Sequence, residues 1–525
     1  MHYAHHANIR RTPQSQPVLG RDQVENSAGG YVFAIDDKKR FDRFLILGCE
    51  GGTYYASERQ LTIENAEVIV RLVKTDGVWA VARIIEISDS GRAPKNDAAL
   101  FALAIAAGLG DDATRAAALQ ALPRVARTGT HLFTFLENVR GFHGWGRGLR
   151  RAVGRWYEQD VERVAYQLTK YRQRNGWTHR DVLRLAHTRA LTGAHQALFH
   201  WVTQGKVLDD LPSFVHAFIE ASQAKTVDEI VRVIDANQGL TWEMIPPQFL
   251  GEAKVWEALL PHLPMTALVR NLARMTANGL VAPLSNAARV VSERLGNAEA
   301  LRKARMHPIA VLGALATYRS GRGVKGKLSW EPVAQVTDAL DEAFYLAFGN
   351  VTPTGQRVLK ALDVSGSMGT DDIANMPGVT PRMAAAALSL ISARVEKQCA
   401  FTAFCDTLVP IDISPRMRLD DVIAKVDRHD FGGTDCAQPM LYALEHGLEV
   451  DLFEVYTDNE TWAGDVHPHQ ALEQYRRKTG IAAKLVVVGM TATECSIADP
   501  NDAGQLDVVG FDTATPELIS DFARG

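Results

Sequence analysis

A short segment near residue 365 holds three oxygen-bearing side chains that could bind a metal ion. Asp363, Ser365 and Ser367 follow one another at two-residue spacing, directly after an apolar run at 358–362. That run predicts a buried strand, so the three side chains are expected on the loop that leaves it. One carboxylate and two hydroxyls are hard oxygen ligands, which suit Mg²⁺ or a similar divalent cation that keeps part of its water shell.

Two further oxygen donors, Thr434 and Asp458, lie on later loops, in a Gly-Gly-Thr-Asp and a Thr-Asp-Asn segment. After Pro353, short apolar runs alternate with helical stretches, which is typical of a doubly wound parallel sheet. Such sheets bind ligands beyond the carboxyl ends of their strands. Because Asp363 and Asp458 each follow a predicted strand, we expect the three loops to meet at one site.

Taken alone, Asp-x-Ser-x-Ser also fits a capped turn at the start of a helix. The three segments in this order favour the metal site, and together they resemble the metal-ion-dependent adhesion site of von Willebrand factor A domains. That resemblance implies a metal that grips an acidic ligand and implies no catalysis. A hydrolase is disfavoured, because the segment lacks Gly-x-Ser-x-Gly order and no His can be assigned as a base.

In the rest of the chain the apolar residues follow a different spacing. From about Glu64 to about Phe348, apolar residues recur at three- and four-residue spacing, which predicts helices joined by short loops and stacked in pairs as a solenoid. Before them, the runs Tyr31–Ile35 and Phe44–Leu47 are predicted as strands. Residues 1–25 are polar and are predicted to form a flexible tail.

Charge is divided unequally between these parts. At 525 residues the chain should hold more than one domain. Residues 1–350 carry 43 Lys and Arg against 35 Asp and Glu, whereas residues 351–525 carry 14 against 26. The balances of +8 and −12 predict that a polyanion binds the first part and that the second part attracts cations.

Composition and cysteine use bear on the compartment. The five cysteines are odd in number and include no C-x-x-C pair, which favours a reducing cytoplasm over a disulfide framework. The amino terminus shows no signal peptide, and the longest apolar run is too short to span a bilayer. The sequence therefore predicts a cytoplasmic protein without a membrane partner.

Residues 140–189 form a basic segment, with twelve Lys and Arg against four Asp and Glu. Its centre interleaves cations with Tyr171 and Trp177, a combination that suits RNA through phosphate neutralisation and base stacking. A solvated helix face is the alternative for any such charge run. A second basic set could contact RNA or be plainly solvated: Arg270, Arg274, Arg305, His307, Arg319, Arg322, Lys325 and Lys327.

Several longer strings resemble the Ro ribonucleoprotein family in its bacterial form, and the resemblance runs from about residue 20 to about residue 520. The strings that carry it include residues 43–48, 130–135, 170–177, 183–187, 266–272 and 432–436.

This resemblance implies a multidomain fold. An all-α, HEAT-like helical-repeat ring, the TROVE module, would occupy residues 1–355, and an α/β doubly wound von Willebrand factor A domain would occupy residues 356–525 and close the ring. It also implies a monomeric ring that can join higher assemblies with RNA.

The resemblance further implies a non-catalytic function in RNA metabolism. Small Y RNAs would bind the outer basic surface, and the ends of misfolded or precursor non-coding RNA would enter the hole. A 3′–5′ exoribonuclease such as polynucleotide phosphorylase is the implied partner, with a role in stress survival. The family's Y RNA contacts fall on Lys170, Arg174 and His187. Basic neighbours complete the predicted surface: Arg172, His179, Arg180 and Arg184.

Two other classes of function compete with this one. In a metal-dependent adhesion or assembly module, the metal site would hold a protein ligand and the helices would be a scaffold, but the basic segment would then have no purpose. A nuclease would need clustered carboxylates for two metal ions, and the helical part shows no such cluster.

Overall fold

The computed structural model describes residues 11–48, 58–93, 95–142, 144–304, 306, 308–323, 327–348, 353–370, 372–373, 378–428, 432–490, 494–509 and 514–524. Three members of the second basic set, Arg305, His307 and Lys325, lie outside these residues.

Helices make up most of the described chain from residue 37 to residue 348. They are α1 Asp37–Leu47, α2 Glu58–Ser90, α3 Asp97–Leu109, α4 Asp112–Val125, α5 Gly129–Arg140, α6 Arg147–Tyr157, α7 Val161–Lys170, α8 His179–Ala186, α9 Gly193–Gln204, α10 Ser213–Gln223, α11 Val227–Ala236, α12 Ala253–Leu259, α13 Met265–Ala277, α14 Asn286–Leu295, α15 Ala298–Lys303, α16 Pro308–Arg319 and α17 Ala334–Phe348. Short strands accompany them: β1 Gln23–Glu25, β2 Tyr31–Ala34, β3 Gln173–Arg174 and β4 Trp177–Thr178. Short 3₁₀ turns lie at Trp242–Met244, Pro247–Phe249 and Leu260–His262. None of the described helices is both long and apolar enough to cross a membrane.

Helix starts follow from local side chains. Thr128, Thr178 and Thr226 each accept a hydrogen bond from a first-turn backbone N–H, which satisfies a donor that the helix itself leaves unpaired. Asp36 does the same for α1. Because α1 includes Phe44–Leu47, the predicted strand at those residues is wrong. The predicted strand at Tyr31–Ile35 is confirmed, one residue shorter, as β2.

The carboxyl-terminal part contains a six-stranded sheet covered by helices, which confirms the predicted doubly wound sheet, and one short strand that lies outside this sheet. Its strands and helices are β5 Val358–Asp363, α18 Ser367–Thr370, α19 Pro381–Val395, β6 Cys399–Phe404, β7 Leu408–Ile411, α20 Leu419–Val426, α21 Gln438–Glu445, β8 Leu452–Thr457, α22 Pro468–Thr479, β9 Lys484–Gly489, β10 Cys495–Ser496, β11 Gln505–Val509 and α23 Ala514–Arg524. The sheet order is β11-β9-β8-β5-β6-β7, parallel except for β7. From β5 the chain continues to β6 and β7 on one side of the sheet, and from β8 it continues to β9 and β11 on the other side. This reversal of strand order between the parallel neighbours β5 and β8 creates the crevice where such sheets bind ligands.

Both ends of the helical region attach to this sheet domain. At one end, the fully buried Arg43 of α1 pairs with Asp507 of β11 at 2.5 Å. At the other end, Arg418 pairs with Asp338 of α17 at 3.0 Å, and Arg394 of α19 lies 3.5 Å from the centre of the Tyr345 ring. The chain path therefore leaves the sheet domain and returns to it, which closes the helical region into a ring.

The amino-terminal segment is docked and is no tail over residues 11–25. Strand β2 pairs with β1 and with β10 of the sheet domain. Gln14 is fully buried, and its amide donates to Asp435 Oδ1 at 2.6 Å and to the Val466 carbonyl at 2.8 Å. The prediction of flexibility failed because the partners of this polar segment lie more than 400 residues away in the sequence.

Candidate metal centre and nucleic-acid interface

The predicted metal-binding loop leaves the carboxyl end of β5. Asp363, Ser365 and Ser367 are 0%, 3% and 7% exposed. Asp363 Oδ1 accepts from the Ser365 backbone N–H at 2.9 Å, which folds the loop back on the strand. The Ser365 and Ser367 hydroxyl oxygens lie 3.2 Å apart, so both can face one small ion.

The other two predicted ligands come from neighbouring loops. Asp458 directly follows β8, the strand beside β5, and is 3% exposed. Its carboxylate accepts from Ser367 and, at 3.1 Å, from the Glu460 backbone N–H. Thr434 is 2% exposed, and its carbonyl accepts from the Trp462 and Ala463 N–H groups, which ties its loop to the Asp458 loop. The structure thus brings together all three predicted segments.

The electrostatics of this centre fit a divalent cation. Burial, and then the nearby Asp458 carboxylate, raise the pKa of Asp363 to about 7. Burial likewise raises the pKa of Asp458, while the Ser367 hydrogen bond opposes the rise. Among the described residues neither carboxylate pairs with Lys or Arg, and the buried Asn459 Nδ2 has no hydrogen-bond partner. Two buried carboxylates beside two hydroxyls form a hard oxygen set that Mg²⁺ suits. The described residues hold no cluster of three His, Cys, Asp or Glu.

Sequence reasoning missed the residues that hold these loops. The Thr457 hydroxyl donates to Asp363 Oδ2 at 2.7 Å, and the buried Arg382 guanidinium donates to the Val364 and Ser365 carbonyls at 2.9 and 3.0 Å. Asn459 has a positive φ of 69°, a strained conformation that its surroundings must maintain. Thr457 could have been found from its place beside Asp458, whereas nothing local marks Arg382.

The docked amino-terminal segment also forms hydrogen bonds with the loop that follows Asp458. Asn26 Nδ2 donates to the carbonyls of Asn459 and Thr461 at 3.2 and 2.9 Å, and the Ala28 N–H donates to Glu460 at 3.1 Å. Gly30 lies against Thr461 so closely that a Cβ at residue 30 would stand 1.8 Å from the Thr461 carbonyl oxygen. Three consecutive residues after Asp458 are thus held from outside the sheet domain.

A tight hairpin displays part of the predicted RNA surface. Strands β3 and β4 pair through the two-residue loop Asn175-Gly176, whose φ angles are 51° and 77°. Two positive φ angles define a type I′ turn, for which Asn-Gly is a favoured sequence. The hairpin exposes Arg172 and Arg174 to solvent. The Trp177 indole N–H donates to Glu137 at 2.9 Å and fixes the hairpin to α5.

Lys170 is at the edge of this surface but is largely enclosed. Its side chain is 9% exposed, its ammonium donates to the Tyr166 hydroxyl at 3.0 Å, and Glu243 lies 3.6 Å away. It also lies 5.3 Å from the centre of the Tyr171 ring. Burial opposes its charge, but the Tyr166 bond and the neighbouring Tyr171 and Glu243 outweigh burial, so the pKa of Lys170 is raised.

The prediction that His179 is a surface cation is wrong. The residue is 3% exposed, its Nδ1 hydrogen-bonds to the Tyr157 hydroxyl at 2.7 Å, and its ring packs against Phe133 and Trp156. Burial lowers the pKa of His179 to about 3, so the ring is neutral. His179 is the first residue of α8 and its side chain faces the core, a direction that sequence order in a basic run could not reveal.

The other predicted residues, Arg180, Arg184 and His187, are exposed on and beyond α8. His187 ends that helix in the left-handed conformation, with φ 51°. Arg184 donates to the Thr203 carbonyl at 3.3 Å.

Sequence reasoning predicted a helix over residues 148–157 but did not single out the arginines of this helix, α6, which packs against α8. Its exposed arginines are Arg147, Arg150, Arg151 and Arg155. Their spacing of three, four and eight residues places them on one helix face. That spacing was a readable signal within the basic segment.

Comparison with known proteins covers nearly the whole chain. A family model described as the TROVE domain matches residues 24–237 and 234–317, and one described as the Ro60 vWA domain matches residues 357–523. The RNA-binding protein RO60 of Deinococcus radiodurans is 44% identical over 524 residues, which cover 99% of this chain and 98% of the relative. The RNA-binding protein RO60 of Caenorhabditis elegans is 36% identical over 600 residues, 98% of this chain and 92% of the relative. The crystal structure of the D. radiodurans RO (RSR) protein superposes with a TM-score of 0.73, covering 93% of this chain and 100% of that one.

Proposed function

The chain belongs to the RO60 family of RNA-binding proteins, and from this premise we propose that it is itself a non-catalytic RNA-binding protein. The observation that carries the proposal is the exposed basic surface formed by the hairpin and α8. Four arginines and one histidine face solvent there, and three of the arginines lie on β3 or α8: Arg172, Arg174, Arg180, Arg184 and His187. A rigid display of cations loses little entropy when it binds phosphates.

Within that function, Y RNA is the proposed ligand of the hairpin surface. Arg172, Arg174 and His187 make direct contacts, and the enclosed Lys170 acts by positioning the hairpin through Tyr166 and Tyr171. His179 serves the core. The arginines of α6 extend the same surface and neutralise further phosphates.

The remaining parts of the function follow from the family and from charge. The ends of misfolded or precursor non-coding RNA enter the ring, whose helical part carries the positive balance. A 3′–5′ exoribonuclease such as polynucleotide phosphorylase works with the complex in RNA maturation and decay under stress, in the cytoplasm. The protein acts as a monomeric ring and joins larger assemblies through RNA.

We assign Mg²⁺, or another divalent cation, to Asp363, Ser365, Ser367, Thr434 and Asp458. When bound, the ion supplies an open position for an acidic group of a ligand. The protein's own groups shape that position: Arg382 holds the loop backbone, and Trp462, which is 44% exposed, stands beside Thr434. This exposed aromatic residue favours a second candidate function, a metal-dependent adhesion module that binds an acidic protein segment.

Copurification and one double variant test the RNA proposal. Protein purified from its host should carry nucleic acid, seen as a raised 260/280 nm absorbance ratio, and the bound RNA is then the probe for filter binding. Arg172→Ala with Arg174→Ala should weaken that RNA by about 10- to 100-fold and reduce the salt slope by about two. Arg289→Ala with Arg232→Ala, two exposed arginines on α14 and α11, is the matched control. RNA-free protein, or equal affinities for both double variants, would refute the proposal and leave the adhesion module.

A further inference from the structure

A polar cavity lies where α2 ends and α3 and α5 begin. It has a volume of about 280 Å³ and is formed by the end of α2, the start of α3, the start of α5 and the middle of α13. A water molecule occupies about 30 Å³ of liquid, so the cavity can hold a small anion together with several waters. Its polar lining consists of Ser88, Lys95, Asn96, Asp97, Arg127, His131 and Arg270.

The charge of this lining is positive. Lys95, Arg127 and Arg270 supply three cations and Asp97 one anion, which leaves a balance of +2 while His131 is neutral. Two helices also begin at the cavity, since Asn96 precedes α3 and His131 lies in the first turn of α5. Helix starts present backbone N–H groups and a partial positive charge, both of which favour an anion.

Hydrogen bonds fix the base of the cavity, whereas Lys95 and Arg270 are exposed. The Arg127 guanidinium donates to the Ser88 carbonyl and hydroxyl at 2.9 and 2.8 Å. Ser88 donates to Asn96 Oδ1 at 2.8 Å, and Asn96 Nδ2 donates to the Val125 carbonyl at 2.8 Å. These bonds fix the base of the cavity before any ligand arrives.

The histidine of the lining is neutral. Burial, and then the Arg127 charge, lower the pKa of His131 to about 4. Its ring therefore adds no charge to the cavity, and the positive balance of the lining comes from the lysine and the two arginines.

We propose that this cavity is a phosphate-binding pocket that takes a phosphate of an RNA strand through Lys95, Arg127 and Arg270. That the bound phosphate belongs to RNA rests on the proposed function, since a lining with a charge balance of +2 would accept free phosphate equally well. The pocket is lined by residues on or beside α2, α3, α5 and α13, and no residue of β3, β4 or α8 lines it.

The test uses the full chain and two probes, inorganic phosphate and a short unstructured RNA. Lys95→Gln with Arg270→Gln removes two exposed charges without disturbing Arg127. Arg274→Gln is the matched control, because Arg274 is exposed on the same helix α13 and does not line the cavity. Calorimetry with phosphate should show binding to wild type and to the control, and at least a tenfold loss in the double variant. For the RNA, the slope of log affinity against log salt should fall by about 1.4, because each of the two lost phosphate contacts contributes about 0.7.

Each other outcome is decisive. Absence of phosphate binding to wild type, or equal binding by the double variant, overturns the pocket. Loss of phosphate binding with unchanged RNA affinity and salt slope assigns the pocket to free phosphate and overturns the RNA source. A wild-type protein that binds phosphate but no RNA refutes the proposed function, while the phosphate titration still supports the pocket.

Discussion

The proposed metal centre and the hairpin surface draw on very different lengths of chain. The hairpin surface comes from residues 170–187, a single strand pair and one helix. The metal centre joins loops after β5 and β8, whose facing residues are 94 positions apart, and the amino-terminal segment, which bonds across 421 positions. The first is a local display of charge, whereas the second is an assembly of distant loops.

The two regions also differ in how deeply their side chains are buried. Every proposed metal ligand is at most 7% exposed, while the hairpin arginines face solvent. Changes in the metal centre should therefore disturb distant elements and cost stability, because packed interiors adjust little. Changes on the hairpin should alter binding and leave folding nearly intact.

The strongest test of this difference is Gly30→Ala. Because the new Cβ would meet the Thr461 carbonyl oxygen, which is backbone, the amino-terminal segment must separate from the Asp458 loop. We expect the free energy of unfolding, measured in urea, to fall by more than about 3 kcal/mol. Mg²⁺ affinity should fall with it, although residue 30 bears no ligand.

Gly251→Ala is the control for that substitution, since nothing lies within 4 Å of a Cβ at residue 251. It should leave both quantities unchanged. If Gly30→Ala kept wild-type stability and wild-type Mg²⁺ affinity, the metal centre would not depend on the amino-terminal segment, and the contrast between the two regions would fail.

A direct change in the metal centre is Ser367→Ala. Ser367 is proposed as a ligand and also donates to Asp458, so its loss should weaken Mg²⁺ by at least about 100-fold, measured by calorimetry. Ser392→Ala, in helix α19 of the same domain, is the control and should bind Mg²⁺ as wild type does. Unchanged affinity in Ser367→Ala would contradict the assigned ligand set.

The same contrast explains what the sequence predicted. The meeting of these loops was predictable because strand order in a doubly wound sheet fixes which loops meet, and Asp363 and Asp458 each follow a readable strand. Arg382, Asn26 and Gln14 were not predictable, because each acts through contacts with distant backbone and none belongs to a local pattern.

In the basic segment, the direction of individual side chains was the feature that the sequence did not predict. Charge and the Asn-Gly turn were readable, but the direction of single side chains was not. His179 and Lys170 look like neighbouring cations in the sequence, yet one lies in the core and the other is enclosed by tyrosines. Exposure at a helix end depends on which tertiary neighbour covers the first turn, and local spacing carries no information on that neighbour.

The buried position of His179 makes stability depend on pH. The folded-state pKa of about 3 is below the ordinary 6.5, so the unfolded chain binds the proton more readily. Its contribution is complete above pH 6.5 and is lost as pH falls toward 3. At pH 5 the loss is about 2 kcal/mol.

The check is the pH dependence of urea unfolding in His179→Phe. This variant should lose stability at pH 7, because the Tyr157 hydroxyl loses its partner, yet should lose less on going from pH 7 to pH 5 than wild type. An equal acid loss in both proteins would show that His179 is protonated in the folded state and belongs to the basic surface after all.

The smallest expected effect concerns Lys170, which tests whether enclosure separates positioning from contact. Lys170→Met keeps the length of the stem and removes an ammonium that already bonds to Tyr166 and faces Glu243. Because so little of the side chain reaches solvent, we expect less than about a threefold loss of RNA affinity and no change in the salt slope. Arg174→Ala, four residues along on the exposed hairpin, should lower the slope by about one. A slope change for Lys170→Met equal to that of Arg174→Ala would mean that the lysine leaves its tyrosines and meets a phosphate directly when RNA binds.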